Sequence, residues 1–257
     1  MKIFDYLEKR YLNLPQSYFK LIIKNILGFS INTFSFQKEK ITFDNISFYV
    51  YKNRLTKNDE LLKDSYYGYI RYYHIKKDDI IIDVGPYAGI FTIYAAIKVG
   101  SKGKVIAFEP DPYTYIILKR NIKLNKLKNV IVVKKGLYDK DAKLAFDIQG
   151  PPSNIIPKYK KVLTFNYIRT TTLDKELQKL KFGKVNFIKM DIEGAEIKAL
   201  LGAQKTIKNN PNINLAIACY HIVDGQQTSI KLKKILANWG LKVWFGNKNH
   251  PVLYAKY

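Results

Sequence analysis

From Asp79 to Ala255 the chain alternates short apolar runs with amphipathic stretches. Ile80-Ile81-Ile82 is continuously apolar, as expected of a strand buried on both faces of a parallel sheet. Ile90 to Val99 reads as the helix that follows it, Lys104 to Phe108 as a second strand, Tyr113 to Leu124 as a helix and Val130 to Val133 as a third strand. A less regular, Pro- and Asn-containing stretch, Gly150 to Pro157, interrupts the alternation. It then resumes with a strand at Val185 to Met190, a helix at Ala195 to Ile207, a strand at Ile213 to Cys219, a helix at Gln227 to Trp239 and a closing pair, Leu241 to Phe245 and Val252 to Ala255. This succession predicts a doubly wound α/β sheet with helices on both faces.

The first 77 residues follow a different pattern and are read as an extension to a main domain over 78–257. Phe19, Ile22, Ile23, Ile26 and Leu27 fall at helical spacing beside Lys20 and Lys24, which suits packing onto the main domain or lying in a membrane interface. Ile41 to Phe43 and Ile46 to Tyr51, separated by Asp44-Asn45, predict a β-hairpin. Asn58 to Tyr73 predicts a helix with Leu61, Leu62, Tyr66, Tyr69, Ile70 and Tyr73 on one broad face, read as core.

Charge complicates the picture without settling it. The 257 residues include 44 Lys or Arg and 21 Asp or Glu, a net charge of +23 and a pI near 9.7. Phosphate-rich partners, nucleic acid or an anionic membrane, attract such a surface. The excess is spread along the chain, +7 up to Lys77 and +16 beyond it, so it does not form a basic arm and also suits a surface merely solvated by lysines. The start of the chain lacks the apolar run of a secretory signal, and Lys20 and Lys24 interrupt the stretch from Tyr18 to Phe36, so no spanning helix is expected. The single cysteine, Cys219, excludes an internal disulfide framework and a Cys-rich zinc site. A reducing, cytoplasmic setting is the expectation, with peripheral contact at the inner face of a membrane left open.

Ligands of doubly wound sheets bind outside the carboxyl ends of the strands, so the residues just past each strand carry the candidate chemistry. The first strand leads into Asp83-Val84-Gly85-Pro86-Tyr87-Ala88-Gly89, whose two glycines allow a tight turn and close approach of backbone to a ligand. The middle glycine of a dinucleotide fingerprint is absent, which disfavours a pyrophosphate. The second strand ends in Glu109-Pro110-Asp111, with Glu109 placed to grip the two hydroxyls of a ribose. A nucleoside with a small charged tail, such as S-adenosylmethionine, fits this pair of features. The fourth strand gives Asp191-Ile192-Glu193-Gly194-Ala195-Glu196, three carboxylates that can position an acceptor, take its proton or bind a cation, or can serve the first turn of the next helix. His221 follows the fifth strand at the same rim, whereas His74 and His250 are read as structural and Cys219 as core.

The runs IIDVGPYAGIFTIYAA, VIAFEPDPYTYIILKRNIKLN, TTTLD and FIKMDIEGAEIKALLGA, in that order from Ile80 to Ala203, resemble the FkbM-type family of S-adenosylmethionine-dependent methyltransferases. The resemblance implies a Rossmann-like class I methyltransferase sheet of seven strands, the last antiparallel, S-adenosyl-L-methionine as cofactor, and usually methyl transfer to a hydroxyl oxygen. It implies that Asp83, Gly85 and Gly89 face the methionine part of the cofactor, with Tyr87 covering it or shielding the loop. It places Glu109 on the ribose with Asp111 near it, and the turn from Gly136 to Asp139 against the adenine. Asp191 and Glu193 would flank the acceptor, and with His221 they are the candidate bases; no residue is assigned to a metal. Pro86 stands where the family commonly has Ala and removes one backbone donor from the loop. The expected acceptor is a hydroxyl on a sugar, a lipid-linked glycan or another small molecule, selected by the extension and by the stretch from Ala142 to Arg169. The alternatives are an RNA methyltransferase using the basic surface and a module that binds the cofactor without turnover. Against the former, Asp191-Ile192-Glu193-Gly194 stands where amino-methylating nucleic-acid enzymes carry an Asn/Asp-Pro-Pro-aromatic signature.

Overall fold

A computed structural model of the 257-residue protein describes residues 38–43, 46–51, 68–147, 154–155, 166–246 and 251–257. The helix expected over Phe19 to Leu27, residues 58–67 of the next expected helix, most of Gly150 to Pro157, and His250 lie outside the described residues. In chain order the strands are β1 (Lys38–Phe43), β2 (Ile46–Tyr51), β3 (Ile80–Val84), β4 (Lys104–Phe108), β5 (Val130–Val133), β6 (Gly136–Leu137), β7 (Ala142–Asp147), β8 (Asn154–Ile155), β9 (Asn166–Thr171), β10 (Phe187–Met190), β11 (Asn214–Ala218), β12 (Ile222–Val223), β13 (Gln226–Gln227), β14 (Lys242–Phe245) and β15 (Val252–Lys256). The helices are α1 (Ile90–Val99), α2 (Pro112–Leu124), α3 (Leu173–Leu180), α4 (Glu196–Leu201), α5 (Gln204–Lys208) and α6 (Thr228–Asn238).

Seven strands form one sheet in the order β14-β15-β11-β10-β3-β4-β5, parallel except for β15, which runs antiparallel to both its neighbours. Side chains of these strands alternate between two cores because successive Cβ atoms point to opposite faces. Ile82, Ile106 and Ile188 enter the core that holds Leu173, Leu177, Leu200 and Leu232. Ile81, Val105 and Phe187 enter the one that holds Phe91, Ala95 and Tyr69. A third cluster joins the β1–β2 hairpin, through Ile41, Phe48 and Val50, to Ala88, Ile90, Ile93 and Ile117. Asn121 of α2 fixes that hairpin: its Oδ1 accepts from Tyr49 N at 2.6 Å, and its Nδ2 donates to Tyr49 O and to Ala88 O. The hairpin is thereby tied to the glycine loop.

Two sequence expectations are corrected. The helix expected over Ala195 to Ile207 is two short helices, α4 and α5, with Gly202 and Ala203 between them. Gly202 packs so closely on Tyr138 that a Cβ there would stand 2.0 Å from the Tyr138 carbonyl oxygen. The stretch read as irregular contributes β7, β8 and β9 to a second sheet of order β6-β9-β7-β8, and α3 follows directly. The TTTLD run has a structural use here: Thr172 Oγ1 caps α3 by accepting from Lys175 N, and Asp174 accepts from the backbone N–H groups of Lys205 and Thr206 at the start of α5.

Candidate functional site

The chain runs from β3 outward to β5, then returns to lay β10 on the other side of β3, so the order in which strands are added reverses between β3 and β10. Register makes this switch point a level rim. Val84 pairs with Phe108 on one side and with Met190 on the other, and Met190 pairs with Ile217. The residues after these positions therefore meet at one edge. Val84, Gly85, Tyr87, Phe108, Glu109, Pro110, Asp111, Gly136, Leu137, Asp191 and Glu193 line a cleft there, walled by Phe146 and Ile168 of the second sheet, with about 680 Å³ of space open to solvent.

Gly85 is the tightest point of the cleft. It has φ +79°, and a Cβ on it would lie 1.8 Å from the backbone oxygen of Asp191. Beneath it a buried ion pair links the two central strands: Lys189 Nζ lies 3.2 Å from Asp83 Oδ1 and donates to Gly85 O at 2.5 Å. Thr92 Oγ1 donates to the other Asp83 oxygen, and the ammonium also sits over the Tyr69 ring, 5.3 Å from its centroid. Asp83 is fully buried, so it holds the loop from below and does not line the cleft. Gly89 likewise backs the loop, against Leu118, as the left-handed residue before α1.

Glu109 is 6% exposed and accepts from Asp111 N at 2.9 Å. Burial, followed by the nearby Asp111 carboxylate, pushes its pKa up to about 8, against the pull of the Asp111 N–H, Thr114 and Lys189. Asp111 lines the cleft, but its Oδ1 caps α2 by accepting from Tyr113 N and Thr114 N, and Pro112 opens the helix where a missing N–H costs nothing. Of the turn after β5, Gly136 and Leu137 line the cleft; Asp139 does not, because it pairs with Lys198 Nζ at 2.7 Å outside it.

The acidic turn after β10 forms the opposite wall. Asp191 Oδ2 accepts from Tyr69 OH at 2.9 Å, and Tyr220 OH lies 3.3 Å from Oδ1. Burial and the Asp191 charge raise both phenols above their ordinary range, so they stay protonated as donors. Glu193 has φ +54°, an uncommon left-handed conformation for a residue with a side chain, and stands partly exposed at the mouth. Glu196, fully buried, folds back to accept from the N–H groups of Ile192 and Gly194. His221 meets all three acids: Nδ1 lies 3.0 Å from Glu196 Oε1, and Nε2 lies 3.4 Å from Glu193 Oε2 and 3.7 Å from Asp191 Oδ1. Its burial lowers its pKa, but the close approach of the Glu193 and Glu196 carboxylates, with the Glu196 and Asp191 charges, outweighs that and raises it to about 10. Cys219 is buried with its thiol pushed up to about 11, a core residue. The rim thus assembles Gly85, Tyr87, Glu109, Asp111, Asp191, Glu193 and His221. Lys189, Tyr69 and Tyr220 join them unforeseen, since an apolar-looking strand and a core helix face gave no sign of polar use.

The family model described as the Methyltransferase FkbM domain matches residues 83–238. Methyltransferase 1 of Beauveria bassiana is 28% identical over 149 residues, 49% of this chain and 58% of that protein. The hexuronic acid methyltransferase AglP of Haloferax volcanii is 26% identical over 146 residues, 57% of each chain. The chain thus spans somewhat over half the length of these relatives. Among solved structures, Aeropyrum pernix fibrillarin with natively bound S-adenosyl-L-methionine superposes with a TM-score of 0.51 at 11% identity, covering 88% of this chain and 85% of that one, which shows a shared fold.

Proposed function

Because the chain belongs to the FkbM methyltransferase domain family, we propose that it is an S-adenosylmethionine-dependent methyltransferase that methylates a hydroxyl oxygen of a sugar, a glycan or another small molecule. The observation that carries the reading is the meeting, at one switch point, of a close-approach glycine, a buried acid on the neighbouring strand tip and an acidic wall at the mouth. The cofactor fits these residues. Gly85 leaves backbone where any Cβ would intrude, Glu109 presents a carboxylate for two ribose hydroxyls, and Leu137, Phe146 and Ile168 offer an apolar wall for a flat base. When bound, the cofactor supplies an activated methyl group. The protein's part is alignment and removal of a proton. Asp191, held by Tyr69, orients the acceptor hydroxyl from beside the Gly85 turn, and Glu193 at the mouth takes the proton outward.

The acid wall disfavours a phosphate backbone, and the relative that acts on hexuronic acid by its name supports a carbohydrate acceptor. Tyr69, from the extension over residues 1–77, touches Asp191, which supports acceptor selection by that extension. No described helix is long and apolar enough to cross a membrane. Cytoplasmic action on an acceptor carried by an anionic membrane or carrier agrees with the +23 charge. The deciding experiment offers isotopically labelled S-adenosylmethionine with glycan, small-metabolite and RNA fractions, read by mass spectrometry. Label on sugar hydroxyls is expected; label in RNA alone overturns the acceptor assignment.

Ionised Glu109 accepts both ribose hydroxyls, so cofactor binding favours the deprotonated form of a group that titrates near 8 in the free protein. Affinity should therefore rise with pH by up to about tenfold per unit below pH 8, and level off above it. Glu109→Gln should flatten that part of the profile and weaken binding by about 1–3 kcal/mol. Calorimetry from pH 6 to 9 tests this, with the variant controlling for the cofactor's own α-amino group, which titrates at about 8. Identical profiles in both proteins would show that Glu109 does not hold the ribose.

A further inference from the structure

Among the described residues, His221 and Glu196 carry buried polar atoms with no aligned hydrogen-bond partner. Neither ring nitrogen of His221 has an aligned hydrogen bond, although carboxylate oxygens stand 3.0 to 3.7 Å away and the side chain is only 10% exposed. Glu196 is fully buried; Oε1 serves two backbone N–H groups, and Oε2 has no partner. Buried polar atoms are nearly always satisfied, and exceptions commonly mark a missing ion or water. A structural histidine serving these carboxylates would aim an N–H at one of them.

We propose that Asp191, Glu196 and His221 bind one divalent transition-metal ion, which displaces a proton from the imidazole to solvent as it binds. One donor atom from each lies within 4.8 Å of the others. Donor atoms roughly 2.0–2.2 Å from one ion stand about 2.8–3.6 Å apart at octahedral or tetrahedral angles, so the widest pair closes by about an ångström as the ion binds. The mixed imidazole and carboxylate set suits Mn²⁺ or Zn²⁺ over Ca²⁺. Tyr69, donating to Asp191 Oδ2, supplies the outer hydrogen bond that orients a ligand carboxylate. Asp191 also lines the cleft, so the ion faces the acceptor. This extends the O-methylation reading and narrows the acceptor to a hydroxyl beside a second oxygen donor, as in a vicinal diol or a hydroxycarboxylate, which chelates the ion. The bound hydroxyl loses its proton to Glu193 as its oxygen takes the methyl group and the carbon–sulfur bond of the donor breaks.

Metal binding can be read without cofactor or acceptor, which separates this proposal from the one it rests on. The tag-free 257-residue chain, stripped with chelator, is titrated with Mn²⁺, and free ion is followed by electron paramagnetic resonance. One ion per chain is expected, bound at least tenfold more weakly by His221→Gln and by Asp191→Asn, with circular dichroism confirming that both fold. If either variant fails to fold, the other carries the comparison, and the wild-type stoichiometry stands by itself. Absence of stoichiometric binding to wild type at millimolar Mn²⁺, or a folded His221→Gln that binds as wild type does, overturns the site.

Discussion

Lys189→Met is expected to destabilise the protein by about 3–5 kcal/mol, the usual consequence of removing one member of a buried ion pair and stranding the other. Asp83 is fully buried, and among the described residues its Oδ1 has only the Lys189 ammonium within reach, so the variant leaves that charge with the Thr92 hydroxyl. The loss also frees the Gly85 carbonyl, so the cofactor loop loosens as stability falls. Adding Asp83→Asn should restore much of the stability, because the stranded charge disappears with its partner. Urea unfolding of the wild type, Lys189→Met and the double variant measures all three. A single variant within about 1 kcal/mol of wild type, or a double variant no better than the single, would show that the pair does not hold the two strands.

Gly85→Ala is expected to remove cofactor binding by a factor of about one hundred or more. Alanine at φ +79° costs roughly 1–2 kcal/mol, and that is the smaller part of the effect. The new Cβ would stand 1.8 Å from Asp191 O and 2.9 Å from its carbonyl carbon, and both obstacles are backbone, with no flexible side chain to swing away. The turns after β3 and β10 must separate by more than an ångström. Displacement of that size in a positioned site costs on the order of a hundredfold. Calorimetry with S-adenosylmethionine and thermal unfolding of the same samples test this together. Binding within threefold of wild type would place the cofactor elsewhere in the cleft.

The parallel strands could be read because burial on both faces demands runs such as Ile80-Ile81-Ile82, and β3, β4, β5, α1 and α2 lie where the apolar pattern puts them to within a residue or two. The second sheet was equally encoded: Phe146, Ile168 and Thr170 point inward while Lys143, Tyr167 and Arg169 face solvent, an alternation of period two. It escaped notice because its strands are short and polar and neighbour a Pro- and Asn-containing segment. The break at Gly202 had no local signal, since an isolated glycine inside a helical pattern is tolerated until a neighbour needs its space. That neighbour, Tyr138, is 64 positions away in the chain.

Strand–helix alternation is legible in the order of residues, and with it the rim where Gly85, Glu109, Asp191, Glu193 and His221 stand, because the register of a parallel sheet brings strand ends to one level. Tertiary structure alone decided what each residue does there. It sent Asp83 beneath the loop to meet Lys189, gave Asp111 to the start of α2 and Asp139 to Lys198, and brought Tyr69 across 122 positions to Asp191. It also turned Glu196, which as a first-turn acid looked like a solvated helix cap, into a buried acid whose Oε1 lies 3.0 Å from a histidine nitrogen and whose Oε2 has no partner among the described residues. Residue type and spacing fix which groups are available along a strand end. Hydrogen bonds and ion pairs form over about 3 Å in space, and separation along the chain does not specify those distances.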